Sequence, residues 1–217
     1  MRSHRHASGS SRSWAPLGAG LAMLAGLAAV PARAACPEPP GQAEVKALIQ
    51  TWPKPSQETA QEMVRKYGPP QQATQTLLIW QQNSPWKRTL VRKLPVEHDF
   101  PEKHMDVLEQ VVEYRVPLNF FTPLATFDGS IVADRTRGEL ASSGDHETSN
   151  ILALNLADDI MRGRKSVEQA RDAMAAAVRD IAAGKVPDDA KALHLPPPQG
   201  DLADPGTPVI LAAPGKG

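Results

Sequence analysis

The sequence predicts an α+β domain, an antiparallel sheet of about three to five strands packed against helices from both ends of the chain. Three observations carry this. Apolar residues recur at helical spacing before residue 68 and again after residue 145. Between those stretches the period falls to two, and turn residues (Asn83-Ser84-Pro85, Asp128-Gly129) separate the runs. The strands follow one another without intervening helices, which favours antiparallel pairing over the βαβ alternation of a parallel sheet.

Taken in order, residues 1–35 read as a secretory signal peptide. Arg2, His4, Arg5, His6 and Arg12 form a basic leader without an acid, an apolar run covers 15–30, and Ala32-Arg33-Ala34 supplies the A-x-A cleavage pattern. The apolar run is shorter than the ~20 residues that cross a bilayer. The sequence thus predicts removal of the leader, a mature start at Ala35 or Cys36, and a periplasmic or secreted protein. Cys36 is the only cysteine, so no internal disulfide can form. A lipid anchor on Cys36 is the alternative; it is not favoured, because Arg33 stands where a lipobox carries an apolar residue.

Residues 36–55 form a Pro-rich spacer with a short helix at 42–50, whose Val45, Leu48 and Ile49 share a face. A single domain is predicted over 56–185. Ser56 is a good N-cap for a helix carrying Ala60, Met63, Val64 and Tyr67, which Gly68-Pro69-Pro70 stops. Strands are predicted at 76–81, 86–94, 106–116 and 130–140, with a short irregular piece around Phe120, Phe121 and Leu124. Asp145 is read as the cap of a helix containing Ile151, Leu152, Leu154, Leu156 and Ile160; Asn155 among these apolar residues is expected to bond across to the sheet. Ser166 and Gln169 make a capping box for a last helix that ends by Gly184. Residues 186–217, rich in Pro and Gly, are predicted to be a disordered tail whose deletion from residue 190 leaves stability nearly unchanged.

Removing the leader takes away four arginines and no acid, leaving 20 Lys+Arg against 24 Asp+Glu. A net acidic chain of this kind argues against nucleic-acid binding. No apolar stretch of the mature chain reaches membrane-spanning length.

Two constellations carry chemistry. The first is the loop from Glu97 to Asp106, in which His98, His104 and Asp106 are metal-ligand types suited to zinc or a similar ion. Yet His-x5-His matches no specific zinc signature, a solvated polar loop whose histidines make hydrogen bonds is the plainer reading, and no site tighter than roughly micromolar, ~8 kcal/mol, is expected. No other cofactor is predicted. The second constellation is Arg135, Arg137 and Glu139 on the 130–140 strand. The arginines suit bidentate binding of a carboxylate or phosphate, or an ion-pair network with Glu139 or Glu147. Trp80 and Trp86 are the residues of a pocket lining, with core packing as the plainer reading. No nucleophile elbow, P-loop or dinucleotide fingerprint is present.

Met63-Val64-Arg65-Lys66-Tyr67-Gly68-Pro69-Pro70 followed by Leu77-Leu78-Ile79-Trp80 resembles the SmpA/BamE-type outer-membrane lipoproteins, in which a helix ending in G-x-P feeds a strand carrying a Trp. The resemblance spans about residues 57–95, and no functional residue carries over. The stretch from Phe127 to Arg162 is similar to uncharacterised exported bacterial proteins. Together with the leader this implies an envelope protein that binds a small ligand or an unidentified envelope partner without catalysis. The alternative is a metal-dependent periplasmic enzyme using the His98–His104 loop.

Overall fold

The structure is a computed structural model and describes residues 39–210. The leader, Cys36 and the last seven residues of the tail lie outside the described residues. Two helices come first, α1 (Gln42–Ile49) and α2 (Lys54–Tyr67). α2 begins two residues before the expected cap: Pro53 is its N-cap and Pro55 sits in the first turn, where the missing N–H costs nothing. Ser56 is instead fully buried and donates its hydroxyl to the Lys93 carbonyl, 2.8 Å away, tying the helix to the sheet. Gly68 ends α2 at φ 76°, a backbone setting that favours glycine.

Six antiparallel strands follow among the described residues: β1 (Gln72–Ala73), β2 (Leu77–Gln81), β3 (Arg88–His98), β4 (His104–Glu113), β5 (Ile131–Asp134) and β6 (Glu139–Gly144), in the order β1-β2-β3-β4-β6-β5. The fold class is the predicted α+β. The extra strands have simple origins. β1 is only two residues long, and the run at 130–140 is two strands folded back at residues 135–138. Helices α3 (Phe121–Phe127), α4 (Glu147–Met161) and α5 (Val167–Ala182) complete the layer over the sheet. α5 has the capping box read from Ser166 and Gln169. α4 starts after His146 rather than Asp145, whose Oδ1 takes the Ser149 hydroxyl at 3.1 Å. It is buried on nearly every side, and its buried polar residues Glu147, Asn150, Asn155 and Asp158 are hydrogen-bonded to neighbouring segments.

Alternation sorts the sheet into two faces. The rows Leu78–Val91–Leu108, Trp80–Thr89–Gln110–Ser142 and Val112–Leu140 turn toward the helices. Val45, Ile49, Trp52 and Met63 cover the first rows, and Phe127, Leu154, Leu156 and Met174 the last. Thus the helix at 42–49 belongs to the core rather than to a spacer. The other face carries Leu77, Ile79, Leu90, Val111 and Ala141 among ion pairs such as Arg92–Glu109 (2.6 Å). No helix among the described residues is long and apolar enough to cross a membrane.

The start of the tail also belongs to the core. Ala190 is 1% exposed in a short 3-10 turn, Asp188–Ala190, and Leu193 and Leu195 pack against the α4–α5 cluster. Asn155 is what holds them: its amide donates to the carbonyls of Asp189 and Ala192, both at 2.8 Å, and its oxygen accepts the His194 N–H at 2.8 Å. The bond expected from Asn155 to the sheet is made by Asn150, which donates to the Leu108 carbonyl at 3.1 Å.

Candidate functional site: a histidine–aspartate cluster

β3 and β4 extend past the end of β2 as a long hairpin. A register shift between Val91 and Val96 sets His98 directly opposite His104. Asp106, two residues along β4 from His104, shares its face. All three therefore project to the helix-covered side, in line with Leu108 and Gln110. The hairpin tip is fastened to the helices. The Phe100 ring stands edge-on to Phe127 at 6.1 Å, and the Arg171 guanidinium lies 3.8 Å from the Phe100 ring centre while donating to the Phe127 carbonyl at 2.6 Å.

The two imidazoles are 4.9 Å apart, and one ligand atom each of His98, His104 and Asp106 falls within 4.8 Å of the others. His98 Nδ1 stands 3.3 Å from Asp106 Oδ2, and His104 Nε2 3.1 Å from Oδ1. The second approach is close but off the hydrogen-bond direction, so Oδ1 is buried without an aligned donor among the described residues. The turn Asp128-Gly129-Ser130, brought over by the pairing of β5 with β6, completes the cluster. Ser130 donates its hydroxyl to Asp106 Oδ2, and Asp128 Oδ1 faces His98 Nε2 at 3.5 Å. A cavity of about 50 Å³ adjoins His104 and Asp128, and the buried Ser142 hydroxyl on its wall has no partner among the described residues.

Charge dominates this site. The Asp106 carboxylate close beside it lifts His104 to about 9, against the opposing effect of burial. Burial pushes Asp106 up, but His104 and Ser130 outweigh it and hold the group below its usual range. Burial raises Asp128. Because the folded pKa of His104 is raised, its pairing stabilises the metal-free protein fully below pH ~6.5. That contribution is lost as pH rises toward 9. The melting temperature of metal-free protein is therefore expected to fall between pH 6.5 and 9, and His104→Gln to flatten this slope. An unchanged slope in the variant would disprove the assignment.

The other sequence-predicted residues do not join this cluster. Trp80 and Trp86 are 0% and 1% exposed and act as core. The Trp80 indole N–H donates to the Gly68 carbonyl at 2.9 Å, and that of Trp86 to Glu147. Arg135 and Arg137 lie in the β5–β6 turn, not side by side on a strand face. Arg135 pairs with Asp204 at 2.7 Å and Arg137 with Asp134 at 2.6 Å, rather than with Glu139 or Glu147. Glu139 pairs across the open face with Arg88 at 2.8 Å and Lys87 at 3.2 Å. Arg135 is exposed, so Arg135→Ala is expected to shift the melting temperature by less than about 2 °C. A fall of 5 °C or more would show that the pair clamps the tail. Asp128 and Ser130 are site residues that sequence reasoning read only as a turn and the start of a strand. Their only signal was the Asp-Gly-Ser turn itself.

Compared with known proteins, the chain matches no family model, no curated protein and no solved structure.

Proposed function

We propose that this is an exported cell-envelope protein that binds a divalent transition-metal ion, of which zinc is the type, through His98, His104 and Asp106. The leader pattern supports export. The observation that carries the metal reading is convergence: two imidazoles and a carboxylate oxygen without an aligned donor are presented to one point by a fastened hairpin. Zinc takes such N/O sets, and three protein ligands leave a position for water or an exogenous ligand. The adjoining cavity has room for a water molecule. A serine nucleophile fits less well: Ser130 Oγ lies 3.2 Å from His98 Nδ1, but its proton is donated to Asp106.

Calorimetry at pH 7.5 with full-length protein taken from its own envelope fraction and stripped of metal tests this. Zinc is expected to bind at micromolar Kd or tighter, about 8 kcal/mol or more. His98→Ala and His104→Ala should each weaken binding at least 100-fold, and affinity should fall with pH as protons compete for the imidazoles. Binding weaker than 100 μM, or unaffected by both variants, would refute the reading. Intact mass of the same sample shows whether residues 1–35 are gone.

A second reading, docking of a partner, is favoured by the outer half of β3. Beyond Arg92 this strand has no β2 neighbour, and Leu94 and Val96 are 69% and 61% exposed. Leu94→Asp with Val96→Asp should abolish a specific cross-linked partner in the envelope; retention of the cross-link would eliminate this reading.

A further inference from the structure

We infer that the Asp128-Gly129-Ser130 turn is the outer shell of the metal site, and that it directs His98 to coordinate through Nδ1 while His104 coordinates through Nε2. The inference rests on the metal reading above and adds to it an assignment of ligand atoms.

Each imidazole has two nitrogens, and the group that engages one decides which lone pair is free for a metal. His104 Nδ1 lies 2.8 Å from the Glu102 carbonyl oxygen, which can only accept. Nδ1 therefore keeps a proton, and Nε2, which faces Asp106 at 3.1 Å, is the nitrogen whose proton a metal ion would displace. For His98 the arrangement is inverted. Its Nε2 faces the Asp128 carboxyl, on the side away from the cluster, while its Nδ1 faces inward to Asp106 Oδ2 at 3.3 Å and Ser130 Oγ at 3.2 Å. The opposite choices follow from the hairpin: the rings come from facing strands and turn toward one point with different edges.

Ser130 holds both carboxylates at once. Its backbone N–H donates to Asp128 Oδ1 at 2.8 Å, fixing the acceptor for His98. Its hydroxyl donates to Asp106 Oδ2, which orients that carboxylate and leaves Oδ1 as the free ligand atom. Gly129 between them meets no neighbouring atom within 4 Å of where a side chain would start, so the turn is set by the bonds of its flanking residues. The Asp128–His98 approach of 3.5 Å is long for a hydrogen bond. Coordination at Nδ1 makes the Nε2 proton a stronger donor and is expected to shorten it. Carboxylate–histidine–metal relays of this kind typically contribute 10- to 100-fold in metal affinity.

The decisive measurement is long-range 1H–15N NMR of the zinc-loaded, full-length protein. His98 is expected to carry its proton on Nε2 with Nδ1 on the metal, and His104 the reverse. His98 ligated through Nε2 would overturn the inference while leaving the metal reading intact. Zinc titrations supply the second arm. Asp128→Ala should weaken binding at least 10-fold, whereas Asp128→Asn, which keeps an acceptor oxygen, should stay within about threefold of wild type. Equal affinity in Asp128→Ala would also overturn it, and if that variant does not fold, the ligation states in the wild type and Asp128→Asn decide. Wild-type protein that binds no zinc would remove the metal reading and this inference together.

Discussion

Glu147→Ala is expected to be among the most destabilising single substitutions in this domain, about 3 kcal/mol, which for a domain of this size lowers the melting temperature by about 10 °C. Glu147 opens α4 with a side chain only 5% exposed, under the sheet. Its carboxylate accepts from the Trp86 indole, the Tyr67 hydroxyl, the Lys66 ammonium and, at 3.1 Å, the Gln110 amide. These donors come from α2, the chain entering β3, and β4, so one carboxylate joins three segments to α4. Removing it leaves the Trp86 and Gln110 N–H groups buried with fewer acceptors, which is the costly direction of the exchange. Lys66 is half exposed, and water can take over its charge. Lys66→Ala should therefore cost much less, and equal costs for the two variants would show that the ion pair, not the buried donor set, carries the energy. Burial pushes Glu147 up, but Lys66, Tyr67 and Trp86 outweigh it, so its folded pKa lies below the usual value. The stability it supplies is present above pH ~4.5 and lost as pH falls through the folded pKa.

The elements and their faces were legible in the sequence because each is written locally. The Ser166–Gln169 box, the Gly68 stop and the alternation of β4 need no distant partner to be read. The candidate site was half legible. His98, His104 and Asp106 stood out by residue type, but whether they converge depends on the register shift in β3, which no local spacing encodes. Asp128 and Ser130 reach them only because β5 pairs with β6 and β6 with β4, a long-range order that period-two patterns leave open. Arg135 and Arg137 show the converse error. Read as a strand, they share a face; the turn at 135–138 removes that face, and each takes the nearest acid instead. Asn155 stood out as a polar residue needing partners, and its partners lie in a segment that composition alone marked as featureless.

That segment yields the second large effect. Deleting residues 187–217 is expected to destabilise the domain by about 3 kcal/mol, or about 10 °C, whereas deleting 199–217 should move the melting temperature by less than about 2 °C. The longer deletion exposes the surface under Ala190, Leu193 and Leu195, apolar area that contributes roughly 25 cal/mol per Å². It also strips Asn155 of all three backbone partners, and a buried amide left unpaired costs about 1–3 kcal/mol. The shorter deletion removes Val209 and Ile210, which are 96% and 90% exposed, the half-buried Leu202 and a partly exposed Arg135–Asp204 pair. Asn155→Ala separates the two contributions, since it removes the clamp and leaves the leucines in place. If Asn155→Ala and the 187–217 deletion destabilise equally, the clamp alone holds the segment. If both truncations leave the melt unchanged, residues 187–198 do not dock in solution. Pro196-Pro197-Pro198 marks where the two behaviours part: upstream, side chains enter the core; beyond it, no large apolar side chain among the described residues is buried.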